Sequence, residues 1–332
     1  MAVLTFEGQR FALAAGESVL DCLLRNGQPI QHSCKAGLCQ SCLVQAVDAE
    51  VPPKAQAGLK GTLQASKHAM ACQWCADADI TVKLPGAAAA AVDSLVCELT
   101  LLNAAVMKLV LKPADAASLD CKPGQYMNLT NPAGIVRSYS VANDVQRDGT
   151  LEFHVARTKQ GMFTRWLFES AAVGDAIPLR GPAGSCFYLP DAGQNEPLLL
   201  SAVGTGLAPL FGILNDALAQ GHRGPVTLVH GSGQPELLYY RAELQQLAQQ
   251  HVNFCYVPVV LENPTNDVSC RSGDAASLTM AALDPARIAE TRVFLCGNPD
   301  FVRGLRKQAF MKGVRSANIF CDAFVQRPVA AV

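Results

Sequence analysis

The chain carries no excess of charge. Its 27 lysines and arginines stand against 28 aspartates and glutamates, a formal net charge of −1 over 332 residues. It also lacks any basic block, which argues against nucleic acid as the main partner. Long apolar runs are missing. The most apolar stretch, 197–214, is interrupted by Gly204, Gly206, Pro209 and Gly212, so no clean membrane span of about 20 residues is expected. The first ten residues hold a six-residue apolar stretch with Glu7 close behind, which is not a signal peptide pattern. Internal repeats are absent, and five alanines at 87–91 are the one low-complexity stretch. Thirteen cysteines are an odd number for a disulfide framework. The expectation is a cytoplasmic protein whose cysteines are reduced or bound to metal.

Half of the residues are hydrophobic, so a chain of this length can bury two or three separate cores. Composition shifts divide it. Residues 1–85 are cysteine-rich, with Cys22, Cys34, Cys39, Cys42, Cys72 and Cys75. Residues 86–93 read as a linker. Residues 94–190 hold short apolar runs at 95–102, 106–111, 126–129, 136–141, 151–156 and 177–179, separated by turn residues. Six strands at this spacing predict an antiparallel β-barrel. From 195 to 332, strands predicted at 198–203, 226–229, 253–260, 292–296 and 318–320 alternate with helices near 210–218, 237–247, 275–283 and 301–312. That alternation predicts an α/β doubly wound parallel sheet. The whole is multidomain.

Cys34, Cys39 and Cys42 are spaced C-x4-C-x2-C, and Cys72 follows after a further 29 residues. Three thiolates on one tight loop plus a distant fourth is the plant-type [2Fe–2S] spacing. Gly37 can take positive φ, and small Ala36 and Ser41 let backbone N–H groups turn toward sulfur. Zinc remains an alternative, since Cys39/Cys42 and Cys72/Cys75 form two short clips. Cys75 is either a spare or the fourth ligand. Cys22, with Val19, Leu23 and Leu24 at helical spacing, reads as core. The stretch from Cys34 to Cys42, with Met70-Ala71-Cys72-Gln73, resembles plant-type ferredoxin domains. That resemblance implies an α+β β-grasp fold for the first quarter of the chain.

Arg137-Ser138-Tyr139-Ser140 ends an apolar strand. The Arg offers a forked donor to phosphate, the Tyr a flat face for an isoalloxazine ring, and the Ser a hydroxyl for a flavin nitrogen. An ordinary amphipathic strand is the plainer reading of four residues. Around them stand Gly124-Gln125-Tyr126, His154-Val155-Ala156-Arg157 and Gly161-Met162-Phe163-Thr164. The last of these can open a helix whose N-terminus seats a pyrophosphate. This set resembles the FAD domain of the ferredoxin–NADP reductase superfamily. The resemblance implies that Arg137, Ser138, Tyr139 and Ser140 touch FAD and its phosphate. It also implies that His154 and Val155 line the flavin and that Gly161, Met162, Phe163 and Thr164 hold the pyrophosphate. FMN-binding relatives leave FMN as an alternative.

Gly204-Thr205-Gly206-Leu207-Ala208-Pro209 follows one strand and precedes a helix. Gly204 and Gly206 permit close backbone approach to a dinucleotide pyrophosphate, and Pro209 suits a first helical turn. A mere turn is the alternative. Cys296 and Gly297 end a later strand, at the edge where doubly wound sheets bind ligands. In the reductase superfamily that position lies by the nicotinamide, and an acidic residue with an aromatic follows near the flavin. Asp322 and Phe324 fit this pattern, with Asp where Glu is usual. A small buried Cys296 and a core Phe324 are the plain readings. The resemblance implies catalytic roles for Ser140, Cys296 and Asp322. After the second strand of this half, no Arg or Lys occurs between His230 and Arg241, and Glu236 would repel a 2′-phosphate. NADH is expected over NADPH.

Ferredoxin, flavin barrel and NAD domain in this order resemble the reductase components of bacterial aromatic-ring dioxygenases and multicomponent monooxygenases. They also resemble the CDP-6-deoxyglucoseen reductase of deoxysugar biosynthesis. The implied activity is hydride uptake from NADH onto FAD and single-electron delivery through the cluster to an oxygenase or other one-electron acceptor protein. Two other readings stand beside it. One is supply to a deoxysugar dehydrase; the other is a non-catalytic flavin and iron–sulfur subunit of a complex.

Overall fold

The computed structural model describes residues 2–32, 35–37, 40–85, 91–117, 119–190, 193–262 and 267–324. It divides into two compact units, Met1–Ala87 and Ala88–Val332.

In the first unit, β1 (Ala2–Phe6) and β2 (Gln9–Leu13) form a hairpin. Its two turn residues, Glu7 and Gly8, both have positive φ, which suits the right-handed strand twist. Helix α1 (Val19–Arg25) starts at Ser18, whose Oγ accepts from Asp21 N at 3.1 Å. Then follow β3 (Leu43–Ala46), the short helices α2 (Pro53–Gln56) and α3 (Gly61–Ala65), β4 (His68–Met70) and β5 (Ile80–Lys83). The sheet order is β2-β1-β5-β3-β4, with β1 and β5 parallel and the other pairs antiparallel. Leu4, Phe6, Leu20, Leu23 and Trp74 fill the core, and Cys22 is buried among them.

The second unit begins with β6 (Ser94–Asn103), β7 (Val106–Pro113), β8 (Tyr126–Thr130), β9 (Val136–Ser140), α4 (Val145–Asp148), β10 (Leu151–Ala156), α5 (Met162–Glu169) and β11 (Leu179–Ala183). These strands form two antiparallel sheets, β10-β7-β6 and β11-β8-β9. The bridges Val92↔Leu179 and Leu95↔Ala176 join them. The sixth strand lies two residues later than 177–179. Pro178 has no N–H to donate, so its neighbours Ile177 and Leu179 pair back to Ser94 and Val92 before the β11 ladder starts.

The second half holds β12 (Leu198–Val203), α6 (Leu207–Ala219), β13 (Val226–Ser232), α7 (Arg241–Gln250), β14 (Phe254–Val260), the two-residue β15 (Arg271–Ser272), α8 (Ala275–Ala281), β16 (Arg292–Gly297), α9 (Pro299–Met311) and β17 (Ile319–Ala323). The sheet order is β15-β14-β13-β12-β16-β17, and every pair is parallel. The order reverses between β12 and β16, the crevice where such sheets bind ligands. The helix expected from 237 begins only at Arg241. Pro235–Leu237 forms a 3-10 turn, and Tyr240 takes a left-handed conformation (φ 56°, ψ 26°). The two halves of this unit meet closely. A Cβ on Gly212 of α6 would come within 2.9 Å of the Ala142 backbone, and one on Gly124 within 2.7 Å of Ile213 Cδ1 on α6.

Candidate functional site

In the first unit, Cys34 and Cys39 lie outside the described residues. Cys42, at the start of β3, is buried, and Cys72 is half-buried in the turn after β4. The two meet. Burial pushes the Cys42 thiol up to about 11, while the Cys72 N–H, donating to that sulfur, works against the rise. Between α1 and β3 the described residues Lys35, Gly37 and Gln40 take positive φ. Gln73 closes over them: its Nε2 lies 3.6 Å from Cys72 Sγ, and a Cβ on Gly37 would sit 2.9 Å from Gln73 Cγ. A cavity of about 370 Å³ opens alongside, lined by Gly37, Lys54, Met70 and Gln73 among others. Cys75 is exposed and directs Sγ to Gly16 O at 3.5 Å, away from this pair. Gln73 was visible in sequence only as a neighbour of Cys72. Two adjacent sulfurs, a backbone N–H donated to one of them and a positive-φ glycine packed under Gln73 fit a thiolate-held cluster.

In the second unit, β9 turns Arg137 and Ser138 outward. Ser138 Oγ donates to Asn128 Oδ1 across the sheet at 2.6 Å. The Tyr139 ring lies 5.3 Å from that of Phe163, and burial raises its hydroxyl above the usual range. Ser140 is buried and donates from Oγ to Asp322 Oδ2 at 2.7 Å. The shorter Asp therefore reaches the barrel. Burial raises the Asp322 carboxyl, and the Ser140 bond opposes that rise.

At the start of α5, Gly161 caps without a side chain. Thr164 Oγ1 donates to Gly161 O at 3.1 Å and lies 2.9 Å from Thr158 Oγ1, and Phe163 is buried. This turn thus presents backbone N–H groups and the exposed Met162, with the Thr164 hydroxyl engaged internally. On β10, the Val155 side chain lies in the barrel core, while His154 points the other way. His154 Nε2 lies 2.7 Å from Glu152 Oε1 and its Nδ1 3.0 Å from the Tyr239 hydroxyl. Both side chains are enclosed by protein, so the backbone of this strand is what remains to face a ring.

The glycine-rich turn after β12 has two characters. Gly204 has φ +56°, and a Cβ there would meet nothing within 4 Å, so that side is open to a ligand. Thr205 lies between it and Gly206. A Cβ on Gly206 would come within 2.3 Å of Cys296 O, so the turn rests directly on the end of β16. Cys296 is paired in register with Ala202 on one side and Asp322 on the other. Phe324 N donates to Gly297 O at 2.8 Å, holding the chain after β17 against the same edge. Ser140, Gly206, Cys296, Gly297 and Asp322 are thereby brought together from four parts of the chain. Cys296 is fully buried, and burial pushes its thiol far up. Its Sγ lies 4.0 Å from Cys186 Sγ, a neighbour that no sequence pattern marks.

Known proteins share this arrangement. Residues 4–77 match the 2Fe-2S iron-sulfur cluster binding domain, 95–188 the Oxidoreductase FAD-binding domain and 200–307 the Oxidoreductase NAD-binding domain. The reductase subunit of the aromatic O-demethylase of Amycolatopsis sp. is 32% identical over 307 residues, spanning 89% of this chain and 90% of that protein. The chain belongs to the ferredoxin–NAD(P)+ reductase family. Within that family, the reductase component of the Pseudomonas putida naphthalene 1,2-dioxygenase system is 27% identical, covering 94% of each chain. The crystal structure of the Amycolatopsis cytochrome P450 reductase GcoB superposes with a TM-score of 0.67 at 29% identity, over 98% of this chain and 99% of that one. The protein is an oxidoreductase with [2Fe–2S], FAD and NAD(H) domains, and it serves electron transfer. Among the described residues no helix is long and apolar enough to cross a membrane.

Proposed function

We propose that this reductase takes hydride from NADH in preference to NADPH and delivers electrons one at a time to the oxygenase component of a multicomponent system. The observation that carries it is the presence of all three domains in one chain, with the Ser140–Asp322 contact joining the barrel to the nicotinamide edge. When bound, FAD accepts two electrons together as hydride and releases them singly to the cluster.

The chain's own residues hold and orient. Arg137 is exposed on β9; its Nη1 donates to Val136 O at 2.8 Å, and the other N–H groups of the fork are available to phosphate. Tyr139 offers a ring face, and Ser138 and Ser140 flank it. After the capping Gly161, whose own N–H is held by Thr158 O, the backbone N–H groups at Met162, Phe163 and Thr164 suit a pyrophosphate, and the strand at His154 and Val155 would border the ring. Gly204, beside Thr205, leaves room for the dinucleotide backbone, while Gly206 and Gly297 let the turn pack directly on the end of β16. Cys296, Asp322 and Phe324 border the nicotinamide end, where the Ser140–Asp322 pair can hold a proton at the serine oxygen. Cys34, Cys39, Cys42 and Cys72 would hold the cluster. The domain borders 1–85, 94–190 and 195–332, with the linker at 86–93, go with this reading. So does a reducing cytoplasmic setting, which suits thirteen cysteines.

The coenzyme preference draws support from the loop after β13. Glu236 is exposed there, and the first cation, Arg241, is bound by Asp267 at 2.7 Å. A kcat/KM for NADH at least about tenfold above that for NADPH is expected; equal values would remove this preference. Delivery to an oxygenase is tested by reconstitution with a purified oxygenase component under NADH. Substrate oxidation that requires this reductase supports the reading. NADH oxidation with no electron reaching the oxygenase contradicts it.

A further inference from the structure

Tyr240, just before α7, is a bulky residue in the left-handed region, where only glycine is at ease. Such strain persists where the surroundings impose it, and it gathers at functional positions. The Tyr240 hydroxyl donates to Glu152 Oε1 at 2.8 Å, from the nicotinamide lobe to the outer face of the barrel. Glu152 and His154 stand two apart on β10 and so share that face. An ionised carboxylate only accepts, so His154 Nε2 carries the hydrogen of the 2.7 Å bond to Glu152. The neutral ring then accepts at Nδ1, and Tyr239 donates to it at 3.0 Å. Every bond in the chain has one direction.

The same contact extends further. Asn103 Nδ2, at the end of β6, donates to Leu237 O at 2.7 Å. The His154 ring meets those of Tyr239 and Tyr240 edge-on at 5.1 Å, and Tyr240 packs on Phe211 at 4.8 Å. Phe211 lies on α6, the helix that leaves the glycine-rich turn, and β10 packs against that turn as well. Besides the single Ser140–Asp322 bond at the sheet edge, the boundary between these lobes includes small and apolar contacts such as Gly212 on Ala142. Contacts of that kind adhere without setting register. Buried polar networks add little net stability but can specify one arrangement.

We propose that Glu152, His154, Tyr239 and Tyr240 form a directional latch that fixes the register of the nicotinamide lobe on the flavin barrel. These are positioning residues, and their effect on the reaction is to set the distance for hydride transfer. This rests on the NADH-to-flavin route proposed above.

The test uses the full chain loaded with FAD and cluster, and the variants Tyr240→Phe, Glu152→Gln and their combination. Stopped-flow reduction by NADH gives both the coenzyme Kd and the rate of flavin reduction. Hydrogen exchange reports the backbone at 237–244. The latch predicts a rate lower by about tenfold with Kd within about twofold, because small misplacements slow transfer steeply. It predicts faster exchange at 237–244 and a double variant no slower than the slower single one. If Glu152→Gln does not fold, Tyr240→Phe alone carries the test, since it removes one partly exposed hydroxyl. Lower thermal stability with an unchanged rate would overturn the proposal, leaving these residues as mere adhesive. Wild-type protein that does not reduce its flavin with NADH would instead overturn the proposed route.

Discussion

The two units build their sites in opposite ways. In the reading proposed above, the first takes its cysteine ligands from between sequence positions 34 and 72, nearly a continuous motif. The second gathers Ser140, Gly206, Cys296 and Asp322 from three strands and a turn spread over most of its length. A local site needs little beyond its own loop, whereas a dispersed one exists only while the sheet and barrel hold register. Damage to each should therefore read out differently.

The largest effect is expected from removing flavin anchors on β9. Arg137→Ala with Tyr139→Ala should purify with little flavin and lose NADH-driven activity toward every acceptor, while the cluster spectrum stays. Full flavin occupancy, read from absorbance at fixed protein concentration, would break the assignment of that strand.

Gly206→Ala should come next. Its Cβ would meet the Cys296 backbone, which cannot move without disturbing β16. Overpacking of this kind costs about 1–3 kcal/mol. Flavin reduction by NADH should slow sharply and the second unit should melt earlier, with the cluster region unchanged. A variant with wild-type reduction kinetics would show that the turn is not held as described.

The smallest effect is acid sensitivity. Burial lowers His154, His222 (to about 4) and His230 (to about 3) below the ordinary histidine value of 6.5. In the first unit, burial lowers only His68 among the histidines with a resolved shift. A histidine whose pKa falls on folding binds its proton more readily when unfolded. Stability from these groups is therefore present above about pH 6.5 and is lost as pH falls toward 4. Each unit carries one of the two tryptophans, Trp74 in the first and Trp166 in the second. In Trp74→Phe and Trp166→Phe proteins, the remaining tryptophan reports its own unit. The Trp166 melting temperature should fall more steeply across this range; parallel decline would contradict the comparison.

The same contrast sets what could be read from the sequence. The plant-type cysteine spacing, the Arg-Ser-Tyr-Ser strand and the alternation of strands and helices are local patterns, and the antiparallel strands of the barrel and the parallel sheet follow from them; the order of the strands does not. Boundaries failed where backbone chemistry intervened: Pro178 delays β11, and Tyr240 delays α7. Cys186 beside Cys296, and Glu152 beneath Tyr240, carry no signal because each acquires its meaning from a partner more than 80 residues away. The side chain of His154 is engaged by Tyr239 for the same reason, whereas that of Thr164 is engaged locally by Gly161 and Thr158: a motif gives position, and only the fold gives direction.

The central claim is that hydride enters at the second unit and single electrons leave through the first. Cys72→Ser, beside Cys42, tests it most directly, with Cys75→Ser as the control. The second unit has its own cores and should fold regardless. The Cys72→Ser protein should still reduce ferricyanide with NADH, yet lose most of its cytochrome c reduction, at least about tenfold, because the one-electron carrier is gone. Cys75→Ser should keep both activities. Unchanged cytochrome c reduction by a Cys72→Ser protein that has lost its cluster would contradict the claim.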